Sequence, residues 1–394
     1  MINILTMRRF CAIISAGSAE KSYKVMSRYI YQYPNWTDFR WDKEKILEIL
    51  ARVKLAQGLL LGKMESLGFN LREEAVLNVL SQDVMTSSEI EGEILDKEQV
   101  RSSIARRMGW DIGKEIEVER NVEGIVEVML DATQNYDKPL TKDRLLGWHA
   151  ALFPTGYSGM HKIKAGQFRD DKNGPMQVVS GYMGKEKVHY QAPDAAVIEQ
   201  EIDAFIDWFN DSSEIDGILK AGIAHLWFIT IHPFDDGNGR IARALTDMLL
   251  AKNENTKQRF YSISAQIRKE RKEYYNILEK TQKGSPDITS WLEWFLLCLL
   301  RAIENARDIL SAVFIKATFW QKFSEESFNE RQKHVINKIL DGFEGNLTSS
   351  KWAKLCKSSQ DTANRDILDL LEKNILVKAG AGRSTHYILN FKVE

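Results

Sequence analysis

Hydrophobic residues recur at helical spacing along most of this chain. Apolar side chains return about every 3.6 residues between Trp41 and Leu61, and residues 115–133 carry a second stripe of this kind. The same pattern predicts further helices over residues 74–85, 145–153, 194–210, 218–231, 240–252, 269–282 and 288–314. The chain is therefore predicted to be all-α in class, with few strands.

Residues 166–193 depart from the helical pattern. Met176–Val179 and Lys187–Tyr190 are short strand-like runs, and the glycine-containing residues 180–185 between them are typical of a turn. This predicts one β-hairpin in an otherwise helical protein, and a parallel sheet in the core would contradict the interpretation.

The C-terminal residues 330–394 read as a separate module. Helices are predicted over 331–340, 348–356 and 361–374, followed by strands at 375–378 and 385–389. This order resembles a small winged helix-turn-helix. Its charge is only mildly basic, so the pattern leaves open whether the module binds DNA or serves protein interaction or dimerisation.

Composition narrows the class of protein. The 54 Lys and Arg residues nearly cancel the 55 Asp and Glu residues, which leaves no overall charge for binding polyanions. Cys11, Cys298 and Cys356 are far apart and form neither a disulfide framework nor a zinc pattern, so we expect a cytoplasmic protein. The longest apolar run, residues 291–300, is too short to span a bilayer, and no membrane partner is expected.

The N-terminal segment differs from the patterned sequence that follows. Its apolar patch at residues 10–14 is shorter than the core of a signal peptide. Met26 fits a natural start, and residues 1–25 are then an extension, disordered or loosely packed, with a short signal sequence as the alternative.

Potentially functional side chains are most concentrated in residues 232–243. The apolar stretches on either side predict one helix that enters a loop and one that leaves it. Two glycines let the backbone approach a ligand closely, and their N–H groups at the start of a helix favour an anion. Two arginines three residues apart share one helix face, a carboxylate there suits Mg²⁺, and a histidine can take a proton near neutral pH. These residues are His232, Asp236, Gly237, Asn238, Gly239, Arg240 and Arg243.

This stretch resembles the signature of the Fic family, His-x-Phe-x-Asp/Glu-Gly-Asn-Gly/Lys-Arg followed by a second Arg, and every defining position is matched. The resemblance implies transfer of AMP from ATP to a hydroxyl of a target protein that the sequence does not name. It implies that His232 is the general base and that Asp236 holds Mg²⁺, or alternatively Mn²⁺, between the α- and β-phosphates. The amides of Gly237, Asn238 and Gly239 would bind the phosphate anion, with Arg240 and Arg243 at the β- and γ-phosphates.

Two further segments match places where the family contacts its nucleotide. The hairpin that carries Gln177, Val178 and Val179 corresponds to a flap that covers the nucleotide and aligns the target, although a purely structural hairpin is the alternative. Tyr274, Tyr275 and Gln282 fall where members place adenine-pocket residues; for either tyrosine alone, a role in the helix surface or core is equally consistent.

Far upstream, Ser87-x-x-x-Glu91-Gly92 matches the family's inhibitory motif. The resemblance implies that Glu91 pairs with Arg243 and blocks the position of the γ-phosphate.

Together these patterns predict a helical region with the inhibitory motif at 26–110, a Fic core at 111–315 and the winged helix at 330–394. The leading hypothesis is a self-inhibited protein adenylyltransferase whose partners are ATP, a target protein and, for the C-terminal module, DNA or a second copy of the chain. The alternatives are a DNA-binding transcriptional regulator that uses the core as a nucleotide sensor, and a Fic enzyme that removes AMP or transfers another nucleotide.

Overall fold

The structure is a computed structural model and describes residues 29–65, 67–111, 116–172, 174–180, 187–212, 214–343 and 345–391. The chain divides into two compact units, one formed by the described parts of residues 1–62 and 76–306 and the other by those of 63–75 and 307–394. The predicted extension at residues 1–25 lies outside the described residues. In the described part of the chain, no helix is both long and apolar enough to cross a membrane.

The first unit is built mainly from helices, of which α1 and α2 extend into the second unit and α11 ends there. The helices are α1 (Lys43–Glu65), α2 (Phe69–Ile90), α3 (Lys97–Met108), α4 (Arg120–Gln134), α5 (Lys142–Leu152), α6 (Ile198–Asn210), α7 (Gly217–Ile231), α8 (Asn238–Glu254), α9 (Ile263–Lys269), α10 (Arg271–Gln282) and α11 (Thr289–Ile309). Two antiparallel hairpins lie between α5 and α6, formed by β1 (Tyr157–Ser158) with β2 (His161–Lys162) and by β3 (Gln177–Ser180) with β4 (Lys187–Gln191).

The core of this unit surrounds α7. Every residue from Ile218 to Ile231 is buried, as expected for a helix that is apolar on all sides and enclosed by other elements. Helix α8 packs along it and is buried from Asn238 to Ala251. On another side, the Nε1 of Trp291 in α11 donates a hydrogen bond to the carbonyl of Gly222 at 2.8 Å. Residues 232–237 connect α7 to α8 and are called the corner below. The corner is therefore held between two helices that are both packed into the core.

The second unit contains α12 (Ser311–Lys322), α13 (Glu330–Leu340), α14 (Ser349–Leu355) and α15 (Gln360–Glu372), followed by the antiparallel hairpin of β5 (Leu376–Ala379) and β6 (His386–Leu389). Its core forms around the fully buried Trp352. Thr348 and Ser359 cap α14 and α15 by accepting hydrogen bonds from backbone N–H groups in the first turn, which satisfies amides that have no partner within the helix.

The structure confirms the prediction of a mainly helical protein with a hairpin over residues 176–190. The continuous helix expected over 288–314 is wrong, because the chain leaves helical geometry at Leu310 and forms α11 and α12. No glycine or proline marks that break, so periodicity could not reveal it. The helix expected from residue 115 begins at Arg120.

Two helices and one hairpin were not predicted. Helix α3 is largely polar, and α9 spans only seven residues, so neither produces a clear apolar stripe. Strands β1 and β2 have two residues each and were too short to recognise.

Packing of α4 against α5 provides a test of this fold. A Cβ added at Gly124 in α4 would overlap the carbonyl oxygen of Ala151 and lie 2.7 Å from its carbonyl carbon. Gly124→Ala should therefore lower the free energy of unfolding by about 1–3 kcal/mol, as measured by urea denaturation.

Gly147 in α5 is the matched control, since an added Cβ there has no neighbour within 4 Å. Gly147→Ala should stabilise the protein by about 0.5–1 kcal/mol through helix propensity. Equal effects of the two substitutions would contradict the described α4–α5 packing.

Candidate active site

His232 ends α7 in a left-handed conformation, with φ 51° and ψ 59°. For a residue other than glycine this costs about 1–2 kcal/mol, so the surrounding contacts must hold it there. Its backbone N–H donates to the carbonyl of Phe228 at 3.0 Å, and its ring Nδ1 lies 3.3 Å from the carbonyl oxygen of Ile229. The residue as a whole is 7% exposed and lines a cleft, with one ring nitrogen directed back to the helix.

Reciprocal hydrogen bonds close the corner that follows. The N–H of Phe234 donates to Asn238 Oδ1 at 3.0 Å, and Asn238 Nδ2 donates to the carbonyl of Phe234 at 2.8 Å. The Phe234 ring stacks on His149 with centroids 4.1 Å apart. The side chain of Asn238 is thus engaged within the corner, and what it can offer to an anion is its backbone N–H.

The first turn of α8 is built for close approach by an anion. Gly237 precedes it with φ 79°, and the first N–H groups of a helix have no intrahelical acceptor. A Cβ added at Gly239 would overlap Glu91 Oε1 and lie 3.2 Å from Arg243 Nη1. A carboxylate oxygen from the end of α2 therefore already lies against the helix start where a phosphate would bind.

Arg243 is fully buried and is hydrogen-bonded to Ser87 and Glu91 at the end of α2. Its Nε donates to Ser87 Oγ at 2.9 Å, and its Nη2 donates to the carbonyl of Ser87 at 2.7 Å and to Glu91 Oε1 at 3.0 Å. Its buried Nη1 has no hydrogen-bond partner among the described residues. An unsatisfied buried donor is costly, and an anionic oxygen would remove that cost.

A second carboxylate holds Arg240. Glu93 Oε2 accepts a hydrogen bond from Arg240 Nη1 at 2.9 Å, while Glu93 Oε1 accepts one from Asn121 Nδ2 at 3.0 Å. Burial lowers the pKa of Arg240, an effect that the charges of Glu93 and Glu91 oppose. This contact was not predicted from the sequence, in which its local signal is a second Glu two residues after Glu91.

Asp236 lies in the corner, lines the cleft and is held by two hydrogen bonds. One of its carboxylate oxygens accepts from the N–H of Gly237 and the other from the hydroxyl of Ser158 on β1. In the described residues, no group of three or more His, Cys, Asp or Glu could hold a metal ion. A single protein carboxylate nevertheless fits Mg²⁺, which is commonly bound by one or two carboxylates with substrate phosphates and water supplying the rest.

A cleft of about 1200 Å³ lies beside these groups, and several of them line it. Of the residues predicted from sequence, it is lined by Glu91, Gly92, Gln177, Val178, Val179, His232, Asp236, Gly239, Arg240, Tyr274, Tyr275 and Gln282. The remaining ones, Ser87, Gly237, Asn238 and Arg243, do not line the cleft and instead support its wall. Folding therefore gathers residues from four separate parts of the sequence at one place.

The two tyrosines of α10 differ in their surroundings. Tyr274 is 2% exposed, its ring lies 5.5 Å from that of Trp294, and its hydroxyl is 2.8 Å from His225 Nε2. Tyr274 is thus largely a core residue, and Tyr275 presents the more accessible ring. Burial lowers the pKa of His225 to about 3, with the charge of Arg243 adding to the effect, so His225 is a neutral core histidine.

Two family models match parts of the chain. Residues 139–250 match the model of the Fic/DOC family, and residues 29–110 match a family described as a domain of unknown function, DUF4172. The chain carries a Fic/DOC domain. A crystal structure of a Fic family protein from Desulfovibrio desulfuricans G20 has the same fold, with a TM-score of 0.55 and 20% identity over 89% of this chain and 97% of that one.

Curated relatives are adenylyltransferases. Protein adenylyltransferase fic-1 of Caenorhabditis briggsae is 36% identical over 96 residues, which cover 24% of this chain and 18% of that protein. Protein adenylyltransferase Fic of Nematostella vectensis is 24% identical over 237 residues, covering 59% of this chain and 50% of that protein. The matched regions span half or less of the length of these two relatives.

The buried His149, whose ring stacks on Phe234, predicts how the stability of the protein depends on pH. Gly166 N–H donates to His149 Nδ1 at 2.9 Å, so the ring must be neutral on that side; burial and the charge of Arg240 lower the pKa of His149 to about 4. The unfolded chain, with an ordinary histidine pKa near 6.5, then binds more protons, so stability falls as pH drops from about 6.5 to about 4. His149→Gln should weaken this dependence in urea unfolding curves collected across that window.

The exposed His334 on α13 provides the control, and His334→Gln should leave the pH dependence as in the wild type. If His149→Gln has the wild-type dependence as well, the neutral buried imidazole is not its source.

Proposed function

We propose that this Fic/DOC-domain protein is a self-inhibited protein adenylyltransferase, which transfers AMP from ATP to a hydroxyl of another protein. One observation carries the proposal: His232, Asp236, Gly239 and Arg240 line one cleft at the start of α8, and the buried Arg243 supports its wall through Glu91. The curated relatives with this activity support it.

In the proposed reaction the target oxygen attacks the α-phosphorus, the bond to the bridging oxygen of pyrophosphate breaks, and the hydroxyl proton moves to His232. The contact of Nδ1 with the carbonyl of Ile229 favours the proton on Nδ1, so Nε2 is the basic atom. Mg²⁺ or Mn²⁺ bound with ATP would neutralise phosphate charge, and Asp236 would hold it. The α8 amides and the two arginines stabilise negative charge that develops on the leaving group.

The inhibited state follows from what now occupies the anion site. Glu91 lies against Gly239 and pairs with Arg243, while Glu93 pairs with Arg240. Both arginines are therefore engaged by carboxylates from one short segment at the end of α2. A triphosphate must displace these carboxylates before its α-phosphorus can be aligned with the target oxygen, and small misalignments cost orders of magnitude in rate.

Incubation with α-labelled ATP and Mg²⁺ tests the activity. We expect the label to appear on the protein itself or on proteins of a cell lysate, and His232→Ala should abolish transfer while ATP affinity stays within about threefold, since the base acts in the chemical step. Loss of ATP binding in His232→Ala would show that the assigned role is wrong. Release of AMP from a labelled protein without its addition would instead favour the AMP-removing alternative.

Release of Arg243 should activate the enzyme. Glu91→Gly removes the competing carboxylate, and we expect self-labelling with AMP to rise at least ~10-fold, equivalent to about 1.4 kcal/mol in the barrier. Adding Arg243→Ala to Glu91→Gly should remove that gain.

Glu93 should contribute in the same direction, because it restrains the other arginine. In the Glu91→Gly background, Glu93→Gln should raise activity further, whereas Glu119→Gln, at another carboxylate that lines the cleft, should not. A fully active wild type that does not respond to Glu91→Gly would remove self-inhibition while leaving the transferase assignment in place.

For the second unit we propose a winged helix formed by α13, α14, α15 and the β5–β6 hairpin. The order of these elements supports the assignment. Its partner is either DNA or protein, and retention of one specific DNA sequence that survives competition by unrelated DNA would support the regulator alternative.

A further inference from the structure

Arg169, which precedes the β3–β4 hairpin, reaches the corner that carries His232. Its Nε donates to the carbonyl of His232 at 2.8 Å, and its own backbone N–H donates to the carbonyl of Pro233 at 3.0 Å. Two consecutive carbonyls of the corner are thus bound by one residue that lies 63 positions earlier in the sequence.

The other two nitrogens of the guanidinium are hydrogen-bonded as well. Nη2 donates to the carbonyl of Pro193, just beyond β4, at 2.6 Å, and Nη1 donates to Asp171 Oδ1 at 2.8 Å. The side chain is 1% exposed. A planar group with donors in a fixed fork, buried and bonded at both ends, sets the distance between its partners more tightly than a flexible ammonium could.

His232 needs such support. Its left-handed backbone is unfavourable for a residue with a Cβ, and the carbonyl that Arg169 binds belongs to this same residue. If that hydrogen bond is lost, the peptide between His232 and Pro233 can rotate, and the imidazole moves with the backbone that carries it.

We propose that Arg169 is the positioning residue for His232, fixing the corner in the conformation that aims the imidazole into the cleft and tying it to the base of the β3–β4 hairpin. Its kinetic consequence rests on the proposed adenylyltransferase activity, whereas the orientation of His232 does not. Arg169 does not line the cleft and has no contact with the reacting groups.

Arg144 supplies a matched control. It is also largely buried and multiply bonded, with Nε to Asp131 Oδ2 at 2.7 Å and Nη2 to the carbonyls of Asp131 and Asn135 at 3.0 and 3.1 Å. These bonds join α4 to α5 and do not touch the corner. A variant at Arg144 therefore reports the general cost of weakening a buried arginine.

The experiment compares Arg169→Lys, Arg169→Gln and Arg144→Lys in the Glu91→Gly protein. For both Arg169 variants we expect kcat to fall at least ~10-fold, or about 1.4 kcal/mol in the barrier, while KM for ATP changes less than about threefold. Arg144→Lys should lower the melting temperature by about as much as the Arg169 variants do, but it should not reduce kcat.

A second readout is independent of activity. The Hε1 resonance of His232, assigned by its absence in His232→Ala, should move in both Arg169 variants and coincide with the parent in Arg144→Lys. An unmoved resonance together with an unchanged kcat would overturn the proposal, as would equal kcat losses in the Arg169 and Arg144 variants. If the Glu91→Gly protein transfers no AMP, the proposed function fails, and the resonance alone decides the role of Arg169.

Discussion

Burial of α7 is the constraint on which the rest of the first unit depends. A fifteen-residue helix that is apolar on every side can be stable in water only when other elements surround it. Helices α6, α8 and α11 provide that cover, and the corner between α7 and α8 is consequently fixed at both ends. The strained backbone of His232 and the glycine at the start of α8 persist because neither helix can relax independently.

Burial also determines the electrostatics of the corner. Arg240 and Arg243 lie on α8 deep enough to lose most of their hydration, and an uncompensated buried charge is strongly destabilising. In the structure the compensation comes from Glu93, Glu91 and Ser87. The proposed self-inhibition is a competition between these protein groups and a triphosphate for the same pair of cations.

Unpaired donors show where that compensation is incomplete. Arg243 Nη1 and Arg240 Nε are buried without hydrogen-bond partners among the described residues. The protein carboxylates therefore satisfy only part of the donor set that the corner presents. A phosphate group has more acceptor oxygens than a carboxylate. It can therefore accept hydrogen bonds from donors that are not paired with Glu91 or Glu93.

Local sequence determined the helical class, the β3–β4 hairpin and the residues of the corner, because periodicity, turn residues and a twelve-residue motif act over short distances. The resemblance also identified Glu91 as a residue to pair with Arg243. Only the tertiary structure revealed Glu93 on Arg240, Arg169 on the His232 carbonyl and the mainly structural position of Tyr274. These contacts depend on which side chains come together from elements far apart in the chain. Their burial and hydrogen-bond geometry produce no periodic pattern in the sequence.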